Sequence, residues 1–186
     1  MVVYFFAVGL AFLFIEIAFI QKFILFLHHP LYAVAVVLSA FLVFAGLGSR
    51  WSRRWAGGGG YRSGTGWAMA GIVSLGGLYA LALGPVFDLF IAWPVWVKIP
   101  VAALLIAPLA FCMGMPFPLA LAAVGDRAPA LIPWAWGING CASVISAVLA
   151  TLLAIHFGFT IVVLLALGGY ALAWSVFPSR AHHSPT

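Results

Sequence analysis

Long apolar runs, broken by very few charges, occupy nearly the whole of this 186-residue chain. Hydrophobic residues make up 66% of the sequence, whereas charged residues make up 6%, with eight basic and three acidic side chains. A typical soluble domain is about 45–50% apolar and about 25% charged, so this chain cannot cover itself with a water-soluble surface. The composition excludes a soluble enzyme, a disordered protein and a nucleic-acid-binding protein, and it predicts an integral membrane protein.

The apolar runs are long enough to cross a bilayer as helices, because one span needs about 20 residues for a hydrocarbon core about 30 Å thick. Turn residues and charges divide the runs into six segments. We predict an all-α, polytopic membrane helix bundle of about six transmembrane helices, forming a single domain over residues 1–178. The predicted spans are residues 3–27, 31–48, 66–87, 99–124, 130–155 and 159–177, followed by a polar tail at 179–186.

The longest polar segment, residues 49–65, is rich in arginine and glycine and is predicted to be a flexible cytoplasmic loop. Basic residues are more frequent on the cytoplasmic side of membrane proteins. With a cytoplasmic N-terminus, all the loop and tail arginines fall on that side, so we predict that both termini are cytoplasmic. No basic segment precedes the first span, which is therefore predicted to remain in the membrane. The arginines that fix this orientation are Arg50, Arg53, Arg54, Arg62, Arg127 and Arg180.

Glu16 is the one acidic residue inside a predicted span. A carboxyl group at that depth costs about 3 kcal/mol on insertion scales, and intramembrane acids are by default candidates for a functional role. Two interpretations stay open: a proton or cation site that faces the bundle interior, or a protonated acid that is hydrogen-bonded to another helix. Gln21 is the next polar candidate, but it lies five residues later and does not share the helix face of Glu16.

Asn139 is the third candidate for an intramembrane polar site. Apolar, helix-like sequence surrounds it, so we expect it inside a helix or at a helix break. Its amide is predicted to bond to Glu16, or to a carbonyl group that a proline leaves free. The alternative is an ordinary interhelical hydrogen bond that contributes about 1 kcal/mol.

Prolines and small residues predict how the helices bend and pack. An interior proline removes one helical hydrogen bond, so the fourth span is predicted to kink at Pro108, Pro116 and Pro118. Small residues let helix backbones approach closely in membranes. The fifth span carries such residues, and helix packing is predicted at Gly137, Gly140, Ala142, Ser146 and Ala150.

We predict no catalytic residue, no cofactor and no metal site. Cys112 and Cys141 both lie in apolar runs, where thiols behave as small hydrophobic groups, so no disulfide is expected. Cys112, together with the methionines beside it, could supply soft ligands for Cu(I), but their spacing does not converge on one point. The His28–His29 pair precedes Pro30 and is predicted to form a polar turn.

Several stretches of the chain resemble the membrane-spanning portion of bacterial spermidine synthase-like multispan proteins. They are residues 9–27, 29–33, 46–49, 113–119 and 134–140. The resemblance implies a multi-pass protein of the bacterial inner membrane, in which Glu16 and residues 136–140 match positions of the family. Larger relatives carry an aminopropyltransferase-like or methyltransferase-like domain. This chain contains no glycine-rich strand–turn–helix segment, so we predict that it is not an enzyme.

Two functions are consistent with these residues. The first is a non-catalytic anchor, scaffold or accessory subunit, with the lipid bilayer and other membrane subunits, or a separately encoded soluble-domain protein, as partners and no nucleic acid. The second is a small homo-oligomeric transporter of a cationic, polyamine-like solute or of protons, with Glu16 as the charged site.

Overall fold

The computed structural model describes residues 1–56 and 60–177, and every regular element in that part of the chain is helical. Five helical stretches there are long and apolar enough to cross a membrane, with α4 and α5 counted as one stretch, which is the pattern of a multi-pass membrane protein. The helices are α1 (Val2–Leu27), α2 (Pro30–Ala56), α3 (Tyr61–Leu89), α4 (Val95–Met113), α5 (Pro116–Gly125) and α6 (Ile132–Ser175), and a short 3-10 turn (Pro129–Leu131) precedes α6.

Helix α1 lies at the centre of the bundle. In its most apolar stretch 61% of the residues are buried, against 17–28% in the other four. Phe19 and Phe23 of this helix are fully buried. Their rings contact aromatic rings from α2, α3 and α6, namely Phe41, Tyr79, Phe87 and Phe159. Because lipid is as apolar as these side chains, close van der Waals packing of this kind is what holds membrane helices together.

Helix α6 reverses its direction at Gly158. This residue has φ 80° and ψ 173°, a conformation that glycine adopts readily and other residues rarely do. Asn139 before the reversal and Gly169 after it both pack against the first half of α1, at Gly9 and Ala11. A straight helix would separate the two positions by about 45 Å. The two halves of α6 therefore lie antiparallel along α1.

The fourth apolar stretch is interrupted between α4 and α5. Pro108 lies inside α4, whereas Pro116 and Pro118 lie in the first turn of α5. A proline at the first helical position loses nothing, because its missing N–H group would have had no helical partner. The predicted kinks at Pro116 and Pro118 are therefore a break at Gly114–Met115, after which these prolines begin a new helix.

The predicted flexible loop at residues 49–65 is mostly helical. Helix α2 continues to Ala56, and α3 begins at Tyr61. The guanidinium group of Arg54 lies 3.6 Å from the ring centroid of Trp51, three residues earlier, and such pairs stabilise a helix. Residues 49–65 were predicted to be a loop because they are polar, but a membrane helix can continue beyond its apolar residues into a polar segment. Residues 57–59 and the tail with Arg180 lie outside the described residues.

The two ends of the bundle differ in charge. Tyr61 at the start of α3 donates a hydrogen bond to Asp126 after α5, with 2.6 Å between the oxygens. Arg62 lies over the ring of Trp174 near the end of α6. These contacts bring together an arginine end, defined by Arg50, Arg53, Arg54, Arg62 and Arg127. The opposite, lysine end is defined by Lys22, His28, Asp88 and Lys98.

Candidate binding cavity around Glu16

A cavity of about 470 Å³ lies between α1, α2, the α4–α5 break and the first half of α6. A water molecule occupies about 30 Å³ of liquid, so the cavity has room for a small organic molecule. It brings together two of the three predicted polar candidates, Glu16 and Asn139. Gly114 and Pro118, from the two sides of the helix break, also line it.

The Glu16 side chain is only 8% exposed. Within residues 1–56 and 60–177, no donor or basic group lies within hydrogen-bond or ion-pair distance of its carboxylate. A carboxylate in apolar surroundings is costly when nothing compensates its charge. Of the two interpretations of Glu16, the hydrogen bond to another helix is thus not formed in this part of the chain. Glu16 lines the cavity, so a compensating group can reach its carboxylate from there.

The Asn139 side chain packs directly on the backbone of α1 at Gly9. A Cβ atom at Gly9 would stand 2.6 Å from Asn139 Oδ1, so this position has no room for a side chain. Ser143 donates a hydrogen bond to the Asn139 carbonyl oxygen, with an O···O distance of 2.9 Å. Gly9 and Glu16 are seven residues apart, which puts them on one helix face about 10 Å apart. Asn139 and Glu16 therefore line the same cavity at different depths, and the predicted hydrogen bond between them is not formed.

One wall of the cavity is a crossing in which the backbones of α2 and α4 touch. A Cβ atom at Gly48 would overlap the carbonyl oxygen of Phe111, and one at Gly114 would overlap the carbonyl oxygen of Ala45. Both positions therefore require glycine. Gly114 was not among the residues predicted to matter for packing, although a glycine two residues before a helix-starting proline is a signal that the helix ends there.

The small residues of the fifth predicted span separate into two groups. Ala142, Ser146 and Ala150 are fully buried, and Ser146 donates a hydrogen bond to the Leu10 carbonyl oxygen at 2.8 Å. Gly137 and Gly140 face outward, and a Cβ atom at either would meet nothing within 4 Å. The first group packs α6 against α1 within this chain, whereas the second leaves an open strip on the bundle surface.

The remaining candidates lie away from the cavity. Gln21 is half-buried and does not line it, nor does Pro108. Cys112 and Cys141 are both free thiols. In residues 1–56 and 60–177, no three histidine, cysteine, aspartate or glutamate side chains lie close enough together to hold a metal ion.

Lys98 immediately precedes the fourth predicted span, which begins at residue 99, and nothing in the sequence indicated that it is buried. Its side chain is 2% exposed, and its Nζ donates a hydrogen bond to the Ile91 carbonyl oxygen at 2.9 Å. The sequence does not show that the side chain of this lysine, in the first turn of α4, points back toward the preceding loop.

No protein-family model, no curated protein and no solved structure matches this chain. The resemblance to spermidine synthase-like membrane proteins therefore stays a prediction. The cavity has to be interpreted from the chemistry of its own residues.

Proposed function

We propose that the protein crosses the bacterial inner membrane six times, with both termini in the cytoplasm. The reversal at Gly158 supports six crossings, because each half of α6 is then about 25–40 Å long, which suits one bilayer. The clustering of Arg53, Arg62 and Arg127 at one end supports the orientation, since cytoplasmic ends are rich in basic residues.

Within this topology, we propose that the protein binds a small organic cation in the cavity and carries it across the membrane. The observation that carries the proposal is the Glu16 carboxylate, which is buried in a cavity of about 470 Å³ and has no partner in the described part of the chain. A cation would compensate its charge. Phe12 and Phe117 would contact the apolar body of the solute and favour a positive charge over their rings.

The helix break beside the cavity supports the same proposal. Interrupted helices, with backbone groups that are not used in a helix, form substrate sites in many transporters. Gly114 of the break and Pro118 of the following turn both line the cavity. Six spans are few for alternating access, so we propose that the transporting unit is a homo-oligomer.

Uptake by proteoliposomes tests this proposal. The purified protein is reconstituted into liposomes, and uptake of radiolabelled n-butylammonium is followed against protein-free liposomes. We expect uptake by the wild-type protein and at least about a tenfold loss in Glu16→Gln, which keeps the shape and removes the charge. Gln21→Leu is the matched control, because Gln21 lies on the same helix but outside the cavity, and it should retain uptake. Uptake that is equal in wild type and Glu16→Gln would refute the role of Glu16.

A second candidate function, an anchor or accessory subunit, rests on a different surface. Gly137 and Gly140 are exposed and have open space above them, and Trp134 and Trp136 lie beside them, also exposed. Small residues on a membrane helix favour close approach of another helix. Native mass spectrometry after mild detergent extraction from the source membrane tests this function. A stoichiometric larger partner, lost in Gly140→Leu, would support it; a monomer or homodimer alone would refute it.

A further inference from the structure

A second cavity lies at the lysine end, away from Glu16. It has a volume of about 240 Å³ and opens between the last turns of α1 and α3 and the loop after α3. Lys22, His28, Asp88 and Ile91 line it. We refer to it as the lysine pocket. The proposed transport function does not use it.

Two ammonium groups stand at this pocket. Lys22 lines it directly, and its Nζ lies 5.6 Å from the ring centroid of Phe159. Lys98 stands behind the wall, where its Nζ bonds to the Ile91 carbonyl oxygen and lies 5.4 Å from the ring centroid of Phe26. Ile91 and Phe26 both belong to the wall of the pocket.

Neither ammonium group is neutralised by the described residues. No carboxylate in residues 1–56 and 60–177 lies within ion-pair distance of Lys22 or Lys98. An ammonium group has three N–H donors, and the one hydrogen bond of Lys98 to a described oxygen is to Ile91. Lys98 is also 2% exposed, so its charge is largely removed from water. The Lys22 ammonium group in the lining and the positive charge of Lys98 behind the wall both favour an anion with several acceptor oxygens.

We propose that the lysine pocket binds a phosphate group, supplied by the headgroup of a membrane phospholipid. Trp93 and Trp96 on the adjoining loop and helix start are 50% and 75% exposed, and such tryptophans lie at headgroup depth. Leu25 at the rim is 67% exposed, which offers an apolar surface to an acyl chain. Phosphate from free solution has the same chemistry, and the experiment separates the two sources.

Asp88 favours a headgroup that carries both charges. Its carboxylate lines the same pocket as Lys22, so a doubly charged free phosphate would be repelled there. A phosphodiester has one negative charge, and an ethanolamine headgroup adds an ammonium group that Asp88 can accept. We therefore expect phosphatidylethanolamine to bind more tightly than phosphatidylglycerol.

Native mass spectrometry of the delipidated protein in detergent tests the proposal. Phosphatidylethanolamine is titrated against diacylglycerol with the same acyl chains, and inorganic phosphate is tested separately by thermal shift. We expect a saturable one-to-one complex with phosphatidylethanolamine, at least about tenfold weaker in Lys22→Gln, because a charge-assisted hydrogen bond is lost. Arg53→Gln, an exposed arginine at the other end, is the matched control and should bind as wild type does.

Each outcome decides between the alternatives. Diacylglycerol binding equal to phosphatidylethanolamine binding, or equal binding by Lys22→Gln and Arg53→Gln, would overturn the proposal. A thermal shift with inorganic phosphate that Lys22→Gln abolishes, without lipid binding, would keep the phosphate site and exclude the lipid as its source. Lys98→Gln is a second variant, and Lys22→Gln still decides the question if Lys98→Gln does not fold.

Discussion

The cavity around Glu16 and the lysine pocket hold buried charges in opposite ways. Lys98 is 2% exposed, but its ammonium group has a carbonyl oxygen at 2.9 Å and an aromatic ring beside it. Glu16 is 8% exposed, and its carboxylate has no partner in the described part of the chain. Lys98 thus has a hydrogen-bond partner and a ring beside it, although no anion, whereas Glu16 has neither a donor nor a cation among the described residues.

The difference follows from where each charge lies along a helix. Lys98 lies in the first turn of α4, next to the loop between Leu89 and Val95, and its acceptor is the carbonyl group of Ile91 in that loop, just after the C-terminal end of α3, where carbonyl groups lack helical partners. Glu16 lies in the middle of α1, where neighbouring backbone N–H groups are already bonded within the helix. A buried acid at such a place needs a partner from another side chain or from a ligand. The cavity beside Glu16 provides access for a ligand.

The largest change in stability is expected for a substitution at the crossing of α2 and α4, in the wall of the cavity. Gly48→Ala should reduce stability by about 3 kcal/mol, because its Cβ would overlap the Phe111 carbonyl oxygen and the two helices would have to separate. Thermal unfolding in detergent, followed by size-exclusion chromatography, measures it. Gly46→Ala is the matched control. Gly46 lies two residues before Gly48, and its Cβ would meet nothing within 4 Å, so this variant should be as stable as wild type or slightly more stable.

Equal melting temperatures of Gly48→Ala and Gly46→Ala would contradict the close crossing of α2 and α4. Gly114→Ala tests the same crossing from the opposite helix, because its Cβ would overlap the Ala45 carbonyl oxygen. Gly48→Ala and Gly114→Ala should also reduce uptake in the liposome assay, since Ala45 and Gly114 line the cavity.

The helical architecture could be predicted from the sequence because it depends on local features. Apolar runs without charges predict membrane helices wherever they occur. The predicted turn at residues 156–158 contains Gly158, the residue at which α6 reverses. Glu16 and Asn139 could also be identified from the sequence, because a polar residue in an apolar run is recognisable without knowledge of its contacts.

Features that depend on two distant segments could not be predicted. The contact between Gly9 and Asn139 fixes the register of α1 against α6, and nothing in the sequence around either residue indicates that the two are in contact. The same holds for the crossing of Gly48 with Phe111. The position of Lys98 depends on how the loop after α3 folds back. The helical continuation to Ala56 was missed for another reason, since polarity was taken as a sign of a loop.

Removing each of the two buried charges should change the free energy of unfolding in opposite directions. Glu16→Gln should raise the unfolding free energy by about 2 kcal/mol, because it removes an unpaired buried charge that the fold does not need. Lys98→Met should lower it by about 1–2 kcal/mol, because the Ile91 carbonyl oxygen loses its donor. Unfolding of both variants in the same detergent measures the pair. A loss of stability in Glu16→Gln would show that the carboxylate supports the fold, and it would weaken its assignment as a ligand site.

The smallest expected effect concerns the outer strip of α6. Gly140→Ala should change stability by less than about 0.5 kcal/mol, because a Cβ there meets nothing within 4 Å. Ala142→Leu, two residues later on the buried face, should be clearly destabilising, because Ala142 is fully buried. Thermal unfolding of the isolated protein compares the two. If Gly140→Ala is as destabilising as Ala142→Leu, the strip is not open in the isolated protein. If it is neutral but Gly140→Leu releases a partner in native mass spectrometry, this strip is an interface, and the accessory-subunit function gains its first direct support.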